Sequence, residues 1–530
     1  MEKCSLKIEK SLTKIDLDAL IPREDFEVTD EQGFDIGRMM NAIKSTDLKQ
    51  GSLFFSVIRK PDFQRETNEW DDDKIVSLIE SFLDGDLIPA IILWRNSAGS
   101  YTFVLDGAHR LSALAAWVND DYGDGVISQA FYGPQISDAQ IEVGKRVRNN
   151  IVKKIGTYRD YEIAAQRIDQ VKDGLIKRRA SNLGIIAMQV QWVAGDAQKA
   201  EHSFHKINLS ATPINDTELR LLQSRRKPHA IASRAIIRSG KGHKYWSKFD
   251  QDNQKIIETL ASEINAVFFE PELKTPIRTL DLPIGGKAKS ARSLPMVLEF
   301  VDIVNQIKSD NDLKDDLDGK QTIECIKKTK KMIDRINSNH PSSLGLHPAI
   351  YFYSKDGQHK PTSLYAVASF IMELETHNAL DDFIKVRQQF ENLLKDHDYV
   401  IQQIWRHYRG GTRAYEHIKD FYLEVMKRCS SEKTNEQIID EISQSKEFDY
   451  VLRQTEVREG TAGADFTKAT KSAAFIRDAL QRALRCEICG GLIHVNATSI
   501  DHEVRKSDGG TNSVTNAQLT HPYCNTTYKN

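Results

Sequence analysis

The spacing of apolar residues changes character along the chain. Residues 1–45 show no clear period and read as an irregular or short helical lead-in. From about residue 51 strand-like and helix-like runs are mixed. Leu53–Ile58 (LFFSVI) is β-prone, and Ala90–Trp94 (AIILW) and Tyr101–Leu105 (YTFVL) predict two strands joined by the Gly-containing turn Asn96–Ser100. Asp71–Leu83 predicts a helix: acidic residues open it, Ile75, Leu78, Ile79 and Phe82 share one face, and Gly85 follows as a stop. Arg110–Val118, Tyr158–Val171 and Gly195–Ile207 predict three more helices. From about 216 to 470 the period is helical, as in Leu294–Ile307 and Leu364–Leu374. Glu456–Asp465, rich in glycine and charge, reads as a hinge. Lys471–Arg485 then predicts a helix with Phe475, Ile476, Ala479, Leu480, Ala483 and Leu484 on one side.

These runs predict an α+β multidomain protein, and 530 residues are ample for several cores. The expected divisions are a lead-in over 1–50, a mixed α/β domain over 51–225, a helical middle domain over 226–465 and a small module over 471–530. Composition narrows the class. Lys and Arg total 73 against 75 Asp and Glu, whereas a passive DNA coat is usually basic, so any nucleic-acid contact must use local patches. There is no apolar leader and no stretch near membrane length, so a cytoplasmic protein without membrane contact is expected. Six cysteines are too few for a disulfide framework, and three lie in the last 45 residues, which points to metal.

Two chemistries overlap in residues 486–530. Cys486 and Cys489 form a Cys-x2-Cys knuckle followed by Gly490 and Gly491, and His521 and Cys524 form a matching His-x2-Cys pair. Three thiolates and an imidazole suit structural, tetrahedral Zn2+, which would hold together a module too small for much core. Between the pairs lie Asp501-His502, the polar loop Ser507–Thr511 and Asn516, with Asn525 just beyond. Phosphodiester hydrolysis needs a base, a cation and something to orient the base. The imidazole of His502 titrates near neutral pH. The oxygens of Asp501 and Asn525 suit catalytic Mg2+ or Mn2+. Asn516 can brace the loop backbone. His494 reads as a strand surface residue and not as a ligand.

This segment resembles an HNH (ββα-metal) nuclease of the zinc-ribbon type. The resemblance implies His502 as general base, Asp501 and Asn525 as metal ligands and Asn516 as the central asparagine. Asn525 stands where the commonest pattern has histidine, and the second zinc pair is His-x2-Cys in place of Cys-x2-Cys.

A second informative stretch covers residues 61–118. It holds Pro61-Asp62-Phe63-Gln64-Arg65, Trp70, Ile88-Pro89 and Asp106-Gly107-Ala108-His109-Arg110, the last between a strand run and a helix. Gly107 permits a tight turn, and the helix start beyond it favours phosphate. Arg110 and Arg65 are phosphate donors, and Asp106 can hold a cation or a water. Phe204-His205-Lys206-Ile207-Asn208 adds a lysine and an asparagine. The set resembles the ParB/sulfiredoxin-like NTPase domain of GmrSD- and SspE-type restriction proteins, over roughly residues 50–220. The resemblance implies a ParB-like α/β fold that binds and hydrolyses a nucleoside triphosphate and gates the attached nuclease. It assigns the nucleotide to Gln64, Arg65, Asp106, Gly107, His109, Arg110 and Asn208. Ala108 and His109 replace the two central glutamines of the family motif, which favours binding over rapid turnover.

In the middle region Trp405–Arg413 interleaves aromatic residues with Arg406, Arg409 and Arg413 around a glycine pair, and a DNA contact and a solvated helix end both fit. The run Lys327, Lys328, Lys330 and Lys331 reads as a solvated helix face. The expectation is a nucleotide-gated endonuclease of restriction or anti-phage type, acting on DNA, modified or phage DNA included, with homo-oligomers left open. Two alternatives remain: a nucleotide-switched DNA-binding protein with an inactive HNH fold, and a toxin-like nuclease without nucleotide control.

Overall fold

The computed structural model describes residues 15–24, 39–61, 70–95, 101–132, 136, 138–211, 216–241, 245–288, 293–429, 433–452 and 465–529, apart from the side chains of several residues in 132–222 and of 411–412. The chain divides into two compact units, Met1–Arg225 and Arg226–Asn530.

The first unit is built on a six-stranded mixed sheet. Its strands are β1 (Arg23–Glu24), β2 (Ala42–Lys44), β3 (Ile58–Pro61), β4 (Ile91–Arg95), β5 (Thr102–Asp106) and β6 (Ala187–Trp192), in the order β1-β3-β5-β4-β6-β2. β4 and β5 are antiparallel, with Leu93 opposite Val104, while β5 runs parallel to β3 and β4 parallel to β6. Strand alternation divides the side chains between two cores. Leu93 and Val104 join Ile75, Ile79, Leu111 and Leu114 in one. Trp94, Phe103 and Leu105 join Phe204 and Ala200 in the other.

Helix Asp72–Asp84 starts where the pattern placed it: the Asp71 side chain accepts from Lys74 N–H, and Gly85 ends it at φ 79°. Three expectations are corrected. Leu53–Val57 is one helical turn, because Ser52 caps it by accepting from Phe55 N–H, and the strand begins only at Ile58. The run Tyr158–Val171 gives an α-helix only to Gln166, followed by a 3-10 turn over Ile168–Gln170. The lead-in over 1–50 is not wholly irregular, for β1 and β2 sit at the two edges of the sheet. The turn Asn96–Ser100 lies outside the described residues.

The second unit is a helical bundle that continues into the cysteine-rich end. One hydrophobic core runs from Phe268, Phe300, Phe370 and Phe390 to Cys486, Leu492, Tyr523 and Cys524. Residues 226–465 and 471–530, expected as separate domains, therefore share one core. Most of the hinge Glu456–Asp465 lies outside the described residues. The helix predicted over Lys471–Arg485 spans Lys468–Leu480. It stops early because Leu484 is exposed and Arg485 already bridges to Leu492. β7 (Ser499–His502) and β8 (Ala517–Thr520) then pair antiparallel, with Asp501 opposite Gln518 and His502 opposite Ala517. No helix among the described residues is long and apolar enough to cross a membrane.

Candidate functional site

The thiol cluster forms from two tight turns. Gly490 N–H donates to Cys486 O at 2.8 Å and Cys486 N–H to Gly491 O at 2.8 Å, closing the knuckle. His521 and Cys524 follow β8 directly. The donor atoms of Cys486, Cys489, His521 and Cys524 lie within 4.8 Å of one another, and all four residues are buried. His521 Nε2 lies 3.0 Å from Leu492 O, which fixes the tautomer and turns Nδ1 toward Cys489 Sγ at 3.3 Å. Hydrogen bonds from Cys489 and Cys524 hold the Cys486 thiol well below its ordinary range. Three sulfurs and one nitrogen at this spacing fit a tetrahedral Zn2+.

The surroundings of this cluster come from the helical bundle. Arg387, on helix Leu380–Asp396, is fully buried. Its Nε donates to Glu391 Oε1 at 2.7 Å, its Nη2 to Gly345 O at 2.9 Å, and its Nη1 lies 3.2 Å from His521 Nδ1. Glu391 Oε2 in turn accepts from Leu492 N–H at 2.9 Å. Burial opposes the charge on Arg387, and Glu391, Cys489 and Cys524 outweigh it and hold the guanidinium charged. A zinc ion with three thiolates carries net negative charge, which the guanidinium offsets. Sequence reading missed Arg387 and Glu391, since nothing local marks a buried ion pair in a helix.

The β7–β8 hairpin carries the second set of groups. Asp501 is buried, and its Oδ2 accepts from Gln518 Nε2 at 2.8 Å and Lys529 Nζ at 2.6 Å. Burial alone would raise the carboxyl, but the hydrogen bonds from Lys529 and Gln518 prevail and hold it below the usual carboxylate range. Lys529 Nζ also meets the backbone oxygens of His502 and Glu503. The Lys529 ammonium is thus seated among three oxygens. Asn525 Nδ2 donates to Ser499 Oγ at 2.8 Å, so this side chain lies against the same strand as Asp501. Asn516 braces the loop: its Oδ1 accepts from Val504 N–H at 2.8 Å and its Nδ2 donates to Thr511 O at 2.8 Å. His502 ends the strand, and its imidazole has no hydrogen bond to Asp501 or Asn516 among the described residues. The structure thus brings Asp501 and Lys529 together, with the His502 backbone oxygen on the same ammonium, and sets Asn525 against Ser499 and Ile500 of the same strand. His494 is not a strand surface residue: it is fully buried, its Nδ1 lies 3.2 Å from Asn337 Oδ1, and burial pushes it down to about 4.

In the first unit, Gly107 sits at φ 93° between β5 and helix Ala108–Asn119, and no side chain among the described residues caps that helix start. A Cβ there would come within 2.4 Å of Ile91 Cδ1, which would have to shift, and the φ of 93° disfavours any residue with a side chain. Arg110 Nη2 donates to Asp106 Oδ2 at 2.9 Å and to Ala90 O at 3.2 Å, so these two site residues are paired with each other. The His109 ring stacks on Trp70, centroids 6.1 Å apart. An open cleft of about 540 Å³ lies here, lined by Trp70, Lys74, Ile88, Pro89 and Arg110 among others. Gln64, Arg65 and the side chain of Asn208 lie outside the described residues. In the bundle, Arg406, Arg409 and Arg413 are exposed.

The module thus sets a thiol–imidazole cluster that could hold a metal ion beside a β-hairpin in which the Lys529 ammonium sits on a buried carboxylate. Residues 486–530 match the HNH endonuclease family, and residues 42–223 match the GmrSD restriction endonuclease N-terminal domain. The chain joins a GmrSD-type N-terminal domain to a C-terminal HNH endonuclease domain, the combination of a restriction-type nuclease. An HNH domain implies a divalent metal, and these domains imply DNA as substrate. No curated protein and no solved structure matches the chain.

Proposed function

We propose that this protein cuts DNA at the β7–β8 hairpin, and that a nucleoside triphosphate held in the first unit controls the cutting. The observation that carries the proposal is the seating of the Lys529 cation on buried Asp501, beside His502, in a hairpin anchored by a zinc-type cluster. A divalent ion there, Mg2+ or Mn2+, supplies positive charge against the phosphate and the leaving oxygen. Asp501 and Asn525 hold it. His502 takes the proton of the attacking water. Asn516 keeps the following loop in place through its contacts with Val504 and Thr511. Cys486, Cys489, His521 and Cys524 hold Zn2+ and fix both strands.

In the first unit the helix start after Gly107 favours a phosphate chain, and Lys74 and Arg110 line the neighbouring cleft together with Asp71 and Asp73. Opening of the Asp106–Arg110 pair frees the guanidinium for the phosphates and the carboxylate for a bound cation. Trp70 at the cleft offers an aromatic face to a base. We place this activity in cytoplasmic restriction or antiviral defence, against modified or phage DNA. Breaks in both strands would need two chains or two events.

The test is cleavage of supercoiled plasmid and of modified phage DNA in Mg2+ or Mn2+, with and without each nucleoside triphosphate. Nicking or linearisation by the wild type and not by His502→Ala establishes the chemistry. A nucleotide effect lost in Asp106→Ala establishes the control, and equal cutting in all nucleotide lanes rejects it. No cleavage with retained DNA would instead support a nucleotide-switched binding protein.

A further inference from the structure

The bundle carries another convergence of ligand-type side chains, made of residues that neither the hairpin nor the thiol cluster uses. His417 and Asp420 lie three residues apart on one face of helix Gly411–Cys429. Glu447 comes from the turn that follows helix Asn435–Ser443. One donor atom from each of the three lies within 4.8 Å of the other two. His417 Nδ1 is sealed from solvent and has no hydrogen-bond partner among the described residues. Asp420 meets Lys419 Nζ at 3.2 Å, but no lysine or arginine among the described residues pairs with Glu447. Two carboxylates this close repel each other unless a cation lies between them.

The surroundings hold the imidazole in a set orientation. The Tyr408 ring lies flat on His417, centroids 3.6 Å apart and planes 4° from parallel. Tyr450, on the same turn as Glu447, stacks on His407 at 3.7 Å and meets Tyr408 edge-on at 6.0 Å. The aromatic residues of the Trp405–Arg413 segment thus tie the turn that carries Glu447 to the helix that carries His417 and Asp420. Ligand rings at metal sites are held by neighbours in this way.

We propose that His417, Asp420 and Glu447 bind a divalent transition-metal ion, with water in its remaining positions. One imidazole nitrogen and two carboxylate oxygens are a harder donor set than the three thiolates of the cysteine cluster, so this site accepts Mn2+, which thiolates disfavour, as well as the more tightly held Zn2+. The ion clamps the turn at Glu447 to helix Gly411–Cys429.

The test titrates Mn2+ into full-length protein reconstituted with one equivalent of Zn2+ for the cysteine cluster and carrying Asp501→Asn, which weakens the proposed hairpin metal site, and reads free Mn2+ by electron paramagnetic resonance. At least one equivalent should bind. Adding Glu447→Gln should weaken one equivalent tenfold or more, and His417→Ala should do the same. The Glu447 side chain is exposed and glutamine is isosteric, so this variant folds even if His417→Ala disturbs the stack on Tyr408. No Mn2+ bound, or binding unchanged by Glu447→Gln, overturns the site.

Discussion

The Nζ of Lys529 lies 2.6 Å from Asp501 Oδ2, so the residue before Asn530 places a tethered cation on the carboxylate proposed to hold a metal ion. The two cations compete for one oxygen. Lys529→Ala should lower the Mg2+ concentration for half-maximal plasmid nicking several-fold, measured by titrating Mg2+ at fixed DNA. A higher requirement would mean that Lys529 helps to shape the site.

The same pair gives a pH dependence. The hydrogen bonds from Lys529 and Gln518 hold the Asp501 carboxyl below its ordinary value in the folded protein. A depressed folded value adds stability that is present above the unfolded value of about 3.9 and is lost as pH falls through the folded one. Thermal unfolding of the wild type should therefore lose stability below about pH 4 more steeply than that of Asp501→Asn. Parallel acid profiles would remove the pair from the stability of the module.

Arg387 should be critical to the cysteine cluster although it lies in the helical bundle. Arg387→Ala leaves Glu391 buried without its cation, an uncompensated charge that costs about 3–5 kcal/mol. It also removes the charge beside the thiolates. Unfolding should shift to lower temperature, and zinc should pass faster to a chromogenic chelator. Unchanged zinc release with lowered stability would confine the role of Arg387 to the ion pair.

Gly107→Ala tests the proposed nucleotide site and leaves the residues of the HNH domain unchanged. The added Cβ meets Ile91 Cδ1 at 2.4 Å, and the φ of 93° is itself unfavourable by about 1–2 kcal/mol for a residue with a side chain. Triphosphate binding, read by fluorescence of a labelled nucleotide, should fall at least tenfold. Zinc content should stay at the wild-type level. Tight binding by this variant would move the site away from the Asp106–Arg110 turn.

What the sequence could reveal by itself was local. Cys486 with Cys489, and His521 with Cys524, are each close along the chain, so a turn brings each pair together whatever surrounds it. Helix Asp72–Asp84 was legible because its cap, its apolar face and its glycine stop all lie within fifteen residues. The Asp-Gly turn before helix Ala108–Asn119 was legible for the same reason. Tertiary structure decided the rest. β1 and β2 are two and three residues long, too short for a period to show, and exist as strands only because a neighbouring edge offers hydrogen bonds. Glu391 reaches Leu492 across 101 residues, and Lys529 reaches Asp501 across 28. Side-chain period encodes which face of an element is buried, but not which distant charge will be buried against it. That choice is made when the core closes, because a charge removed from water must find its partner there.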